Sequence, residues 1–265
     1  MSHESASMND EVLYEVRDAI GWITLNRPQA RNALTFAMYD RIAAICSDIE
    51  AHGSPKVLVL TGAGEKAFAA GTDISQFRAF NTPEDALSYE ARIDAALQRI
   101  EACRVPTIAA ISGAATGGGA SIACACDLRI ATRDARFGFP VARTLGNCLS
   151  MNNFARLATL LGPARVKDIV FTARLVDADE GHRVGLYNEV VPDHPALIEQ
   201  AKVVAGTIAG HAPLTLRATK EAMRRITKSE RTKESDLILM CYMSADFREG
   251  IEAFLAKRAP RWQGR

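Results

Sequence analysis

Apolar positions along this chain repeat with two different periods, and the places where the period changes are marked by glycine or proline. Residues 12–16 and 20–25 read as two short strands around Asp18-Ala-Ile-Gly21. Pro28 ends the second, because it cannot donate to a strand ladder. Thr35 is placed to cap a helix running to about Ala51, with Met38, Ile42, Ile45 and Ile49 on one face. Residues 56–61, with the apolar run Val57-Leu-Val-Leu60 inside them, read as a buried strand, and Gly62-Ala-Gly64 breaks it. A helix over 86–102 carries Tyr89, Ile93, Leu97 and Ile100 along one side. A β-type run, 107–111, passes through a glycine cluster into a small-residue helix over 120–126, and a further strand follows over 128–131. Helices are predicted over 154–161, 164–172 and 178–184, the last capped by Asp177, then a strand over 186–191. Amphipathic helices are predicted over 195–210, 213–227 and 230–247.

Composition narrows the class. The chain has 265 residues with 48% hydrophobic content, enough for one large core or a core with a small appendage. Its formal net charge of +1 gives no electrostatic footprint for nucleic acid or an anionic membrane. No apolar run reaches the ~18–20 residues needed to cross a bilayer. Residues 1–10 are polar and lack the apolar centre of a signal peptide, so a cytoplasmic location is expected. The six cysteines have no framework spacing and read as small buried residues of a reducing compartment. The five histidines form no ligand pair, and nothing demands a metal or redox cofactor.

Candidate chemistry gathers at two glycine-containing turns, each following a core strand. One is Ser112-Gly113 to Gly117-Gly118-Gly119, which opens the small-residue helix. The first turn of a helix presents unpaired N–H donors and the positive end of its dipole, and glycine lets a ligand approach that backbone. The other is Ala67-Phe-Ala-Ala-Gly71-Thr72-Asp73-Ile74. Facing N–H groups at Thr72 and Gly118 would make an oxyanion hole for charge developing on a carbonyl oxygen. Two unrelated loops are the other reading, and composition does not separate them.

Taken together, Leu25-Asn-Arg-Pro28, 67–74, Pro106-Thr-Ile-Ala-Ala-Ile-Ser-Gly113, Gly117-Gly-Gly119 and Cys126-Asp127 stand in the order and spacing of the crotonase, or enoyl-CoA hydratase/isomerase, superfamily, which this chain resembles from about Val12 to Arg258. The resemblance implies an α/β fold: a crotonase-like ββα spiral core over 12–195, after a flexible start at 1–11, and a helical trimerisation region over 196–265. It implies a homotrimer or a dimer of trimers, and an acyl-CoA thioester as substrate with no separate cofactor. By motif, the oxyanion donors are the N–H groups of Thr72 and Gly118. Ala30, Arg31, Ala70 and Ile74 match the lining of the CoA. Phe254 and Lys257 match residues that reach a CoA, often one on a neighbouring subunit.

The chain departs from the family where a hydratase keeps two glutamates. Ser121 stands after the glycines and Val141 stands after Pro140. Serine has no useful basicity near neutral pH and valine has none, so standard two-carboxylate hydration is not expected. The loop after Pro140 is instead rich in Arg143, Thr144, Asn147, Cys148, Ser150, Asn152 and Asn153. Glu90, with Asp94 one turn on, is the carboxylate placed to replace the missing base if its helix side faces the pocket; a solvated helix flank is the other reading. Arg217, Lys220, Arg224, Arg225 and Lys228 read as a solvated basic face. Two functions remain open: an enolate-forming acyl-CoA lyase or isomerase, and a catalytically inactive acyl-CoA-binding protein.

Overall fold

The computed structural model describes residues 11–52, 54–211, 213–227, 239 and 242–261. The helix expected over 230–247 falls largely outside these, as does most of the expected flexible start.

A six-stranded sheet forms the frame. Its strands are β1 (Val12–Arg17), β2 (Ile20–Leu25), β3 (Val57–Gly62), β5 (Thr107–Ile111), β7 (Leu128–Thr132) and β10 (Glu189–Val191), lying side by side in that order. β1 and β2 make an antiparallel hairpin, and every later pairing is parallel. Strand periodicity sorts the side chains of β3 between two cores. Leu58 and Leu60 face the main core, while Val57 and Val59 join Ile108, Ile130 and Leu197 on the other side. Helix α8 (His194–Ala209) covers that second face with Leu197, Ala201 and Ala205, so the sheet is buried on both sides.

A second sheet was not apparent in the sequence. β4 (Ala67–Ala69), β6 (Ala114–Thr116), β8 (Arg136–Gly138) and β9 (Val176–Asp177) pair in that order. The first three are parallel, and β9 runs antiparallel to β8. Strands of two or three residues are too short to display a period of two. Each turn of chain therefore contributes one strand to each sheet and a helix behind them, a ββα spiral. Helices α1 (Phe36–His52), α2 (Pro83–Ala102) and α3 (Gly118–Ala125) are the ones that matter for the site.

Local signals explain the helix ends. Thr35 Oγ1 accepts from the Met38 N–H at 3.2 Å, and the predicted stripe of α1 is buried throughout. α2 begins with a reciprocal cap: Thr82 accepts from the Asp85 N–H, and Asp85 accepts from the Thr82 N–H. Smaller helices α4 (Val141–Thr144), α5 (Met151–Leu161), α6 (Pro163–Thr172) and α7 (Ala178–Arg183) follow, then α8, α9 (Pro213–Thr227) and α10 (Ala245–Leu255). Asp177 caps α7 as expected. The strand expected from residue 186 begins only at Glu189, because the N–H groups of Leu186 and Tyr187 turn back onto the Gly181 carbonyl.

The solvated basic face expected on α9 is corrected at Lys220. Its ammonium is buried against Asp127, donating to Oδ2 at 2.6 Å, and donates to the carbonyls of Ile100 and Val105. Asp127 in turn accepts from the Thr107 N–H and hydroxyl. Helix periodicity shows that a face is basic but not what stands opposite it.

Candidate active site

The two glycine turns meet. A Cβ placed on Gly117 would lie 3.5 Å from the Gly71 Cα, and one on Gly119 would lie 2.2 Å from the Ala69 carbonyl oxygen. Parallel pairing of β4 with β6 brings these strand ends together. Gly117, at φ 51° and ψ −120°, takes a conformation that a residue with a Cβ rarely adopts, and it turns the chain sharply into α3. Gly118 opens that helix. Neither its N–H nor that of Thr72 is donated to an acceptor among the described residues. Both residues line one cleft of about 610 Å³.

Thr72 is held from its side-chain end. Its Oγ1 is 3.0 Å from the Tyr39 hydroxyl of α1 and accepts from the Tyr89 hydroxyl of α2 at 3.1 Å. Burial raises both phenols above their ordinary range, so both remain protonated. The backbone around Thr72 is tied as well. The Leu34 N–H donates to the Gly71 carbonyl, and the Asp73 N–H donates to the Leu34 carbonyl. Arg27 bridges to Asp73 at 3.0 Å.

Glu90 lines the same cleft and is only 5% exposed, which corrects the solvated-flank reading. The buried Tyr242 hydroxyl donates to its Oε1, and Asn147 Nδ2 donates to the Tyr242 oxygen at 3.1 Å. Burial, and then the negative charge of Glu90, push the Tyr242 phenol well above its ordinary range and keep it a donor. Asn147 Oδ1 is buried with no hydrogen-bond partner among the described residues. Asp94, one turn beyond Glu90, belongs to the frame: Arg156, Ser150 and Asn152 all donate to it, joining α2 to α5.

Ser121 and Val141 are in the cleft wall, where the family's carboxylates were looked for, and Ser121 Oγ donates to the Gly117 carbonyl at 3.3 Å. Thr144, Asn147 and Cys148 line the wall beside them, whereas Arg143 is exposed and Ser150 caps α5. Of the residues matched to CoA contacts, Ala30, Arg31, Ala70, Ile74 and Phe254 line the cleft. The Ala70 N–H donates to the Arg31 carbonyl, which fixes the two stretches side by side. Phe254, on α10, is 49% exposed. Lys257 lies just past α10, exposed and outside the cleft lining. Tyr39 and Tyr242 escaped the sequence reading. Tyr39 sits one residue from a core position of α1, and Tyr242 is far from Glu90 in the chain, so neither carries a local signal.

Four likenesses, one to a family and three to single proteins, bear on the site. The family described as enoyl-CoA hydratase/isomerase matches residues 15–265. A short-chain-enoyl-CoA hydratase of Clostridium acetobutylicum is 35% identical over 253 residues, covering 94% of this chain and 96% of that protein. Among solved structures, an enoyl-CoA hydratase/carnithine racemase from Magnetospirillum magneticum superposes with a TM-score of 0.79 at 35% identity, over 97% of this chain and 96% of that one. A methylmalonyl-CoA decarboxylase in complex with 2-nitronate-propionyl-CoA superposes with a TM-score of 0.87 at 26% identity, over 97% of this chain and 100% of that one.

Proposed function

The chain belongs to the enoyl-CoA hydratase/isomerase family, and from that premise we propose that it is an acyl-CoA lyase or isomerase working through an enolate. The thioester carbonyl sits between the N–H groups of Thr72 and Gly118, which take up negative charge as the enolate forms. Donors already aimed at that oxygen act most strongly in the transition state. Glu90 is the acid–base group, with its carboxylate held by Tyr242. Ala30, Arg31, Ala70 and Ile74 line the path of the CoA, Phe254 stands at its mouth, and Lys257 offers a point charge to a phosphate. CoA enters as part of the substrate, with no separate cofactor, and the assembly is a homotrimer or a dimer of trimers.

One observation carries this reading: two N–H groups without acceptors among the described residues and a buried carboxylate line a single cleft. Ser121 and Val141 stand in place of the glutamate pair that activates water in a standard hydratase; of the two carboxylates among the described residues of the cleft lining, Asp73 is tied to Arg27, which leaves Glu90 for proton transfer. Proton transfer at the carbon beside the thioester carbonyl fits one such group.

The same two positions favour a second reading, a protein that binds acyl-CoA and has lost its catalysis. The deciding experiment follows crotonyl-CoA by loss of its conjugated absorbance and measures thioester binding on the same sample, for the wild type and Glu90→Gln. The expected variant binds with unchanged affinity and loses about 10²–10⁴-fold in turnover. Unchanged turnover removes Glu90 from the account. Binding without turnover across straight, branched and carboxylated thioesters selects the binding protein.

A further inference from the structure

A second cavity, of about 600 Å³, lies between α1, the end of α2 and α9, and shares no lining residue with the cleft. Two thiols meet in its wall. Cys46 comes from α1 and Cys103 caps α2, and each is at most 3% exposed. Each thiol is the leading influence on the ionisation of the other.

Burial by itself makes a thiol inert. Cys124 and Cys126 show this, since burial pushes both up to about 12. Cys103 goes the other way, despite its burial. Cys46 is the leading influence in bringing the Cys103 thiol down to about 7, helped by the Lys220 ammonium and the Val105 N–H. Asp127 opposes this, and Lys220 is shared between the two. Cys46 is driven up by the Cys103 thiol and by burial, so it keeps its proton. Arg99, Arg104 and Arg217 add positive charge around the cavity mouth, with Glu101 and Glu221 partly offsetting it. One thiol drawn toward the thiolate, a second in the same cavity wall that keeps its proton, and a cavity leading to both are the requirements of a dithiol that reacts with an oxidant.

We propose that Cys46 and Cys103 form an oxidisable dithiol site whose co-substrate is a hydroperoxide. The Cys103 thiolate attacks the terminal peroxide oxygen. An S–O bond forms, the O–O bond breaks, and the leaving alkoxide or hydroxide takes a proton from water. The Cys103 sulfenic acid is then attacked by the Cys46 sulfur. The S–S bond forms, the S–O bond breaks, and the hydroxyl leaves as water with the Cys46 hydrogen. The two sulfurs lose two electrons and the peroxide oxygen gains them. Both sulfurs belong to one cavity wall, and a disulfide between them needs an S–S bond of ~2.05 Å. The site is independent of the acyl-CoA reading, and its test does not use turnover.

The test exposes the reduced full chain to graded hydrogen peroxide, then denatures it in an alkylating reagent and maps its peptides by mass spectrometry. Alkylatable thiols are expected to fall from six to four, with residues 46 and 103 recovered as one linked peptide pair, and dithiothreitol is expected to restore all six. In Cys46→Ser the link is lost and Cys103 proceeds to sulfinic acid. Four results overturn the proposal: first oxidation at Cys148 or any other thiol, a link to a cysteine outside the pair, oxidised Cys103 without the link in the wild type, or no thiol consumed. The wild-type map decides alone should the variant fail to fold.

Discussion

Tyr242 donates its hydroxyl proton to Glu90 Oε1 across 152 residues of chain, and both groups are buried. The donor comes from beside α10 and the acceptor from α2, so the carboxylate is held by a part of the chain that folds over the cleft from outside the spiral. Tyr242→Phe keeps the ring and its packing against Phe247 and Tyr89 but deletes the donor. Losing one hydrogen bond to a charged group is expected to lower kcat about 10- to 100-fold while KM for the thioester stays nearly constant. Steady-state kinetics check this, and an equal rise in KM with kcat unchanged would show that Tyr242 serves binding only.

Gly118 admits no side chain. A Cβ there would lie 2.0 Å from the Tyr39 hydroxyl, itself fully buried, and 3.0 Å from Thr72 Oγ1. Gly118→Ala is expected to lower turnover about 10²–10³-fold, the effect of losing one oxyanion donor. Adding Tyr39→Phe removes the nearest clash and is expected to recover part of that loss. A double variant no better than Gly118→Ala, by single-turnover kinetics, would place the damage elsewhere in the loop.

Asp94 and Arg156 form a buried pair at 3.2 Å, with side chains 7% and 4% exposed. Asp94→Ala leaves the guanidinium partly paired to Glu101, and opens a polar gap between α2 and α5. Breaking a buried pair from one side is expected to destabilise the fold by about 3–5 kcal/mol. Urea denaturation should show a lower midpoint with an unchanged slope. A shift as small as that of an exposed ion pair would mean that water fills the gap.

Asp73 ties the Thr72 loop to Arg27. Burial opposes its ionisation, but hydrogen bonds from Ser75 and Arg27 outweigh burial and hold its carboxyl below the ordinary 3.8. A carboxyl depressed on folding stabilises the native state fully above its unfolded pKa, and the contribution fades as pH falls through the folded value. Wild type should therefore exceed Asp73→Asn in melting temperature at neutral pH, with the gap closing below about pH 4. A gap that persists unchanged into acid would assign the difference to packing.

What the sequence disclosed was whatever rests on near neighbours. The buried run of β3, the stripe of α1, the caps at Thr35 and Asp177 and the glycine turn into α3 each follow from residues within one turn or strand. The Thr72 and Gly118 turns were legible because each has its own glycine signature, and β4 and β6 bring them together. Contacts between distant segments were not legible. The burial of Glu90 depends on Tyr242, that of Lys220 on Asp127, and the thiol pair on how α1 lies along α2. The three-residue strands of the second sheet fell below the length at which alternation can be read.

Thr72 has a further consequence for how such a protein can change over time. Its hydroxyl is gripped by one phenol from α1 and another from α2. A valine at that position would keep the backbone N–H yet strand two buried hydroxyls at once, and a phenylalanine at 39 or 89 would loosen the threonine. Residues 39, 72 and 89 are thus bound to one another's fate: a lineage that alters one inherits a handicap until the others follow. Ser121 and Val141, also in the cleft lining, make no side-chain hydrogen bond to that triad, so a change at either leaves its three hydroxyls as they are.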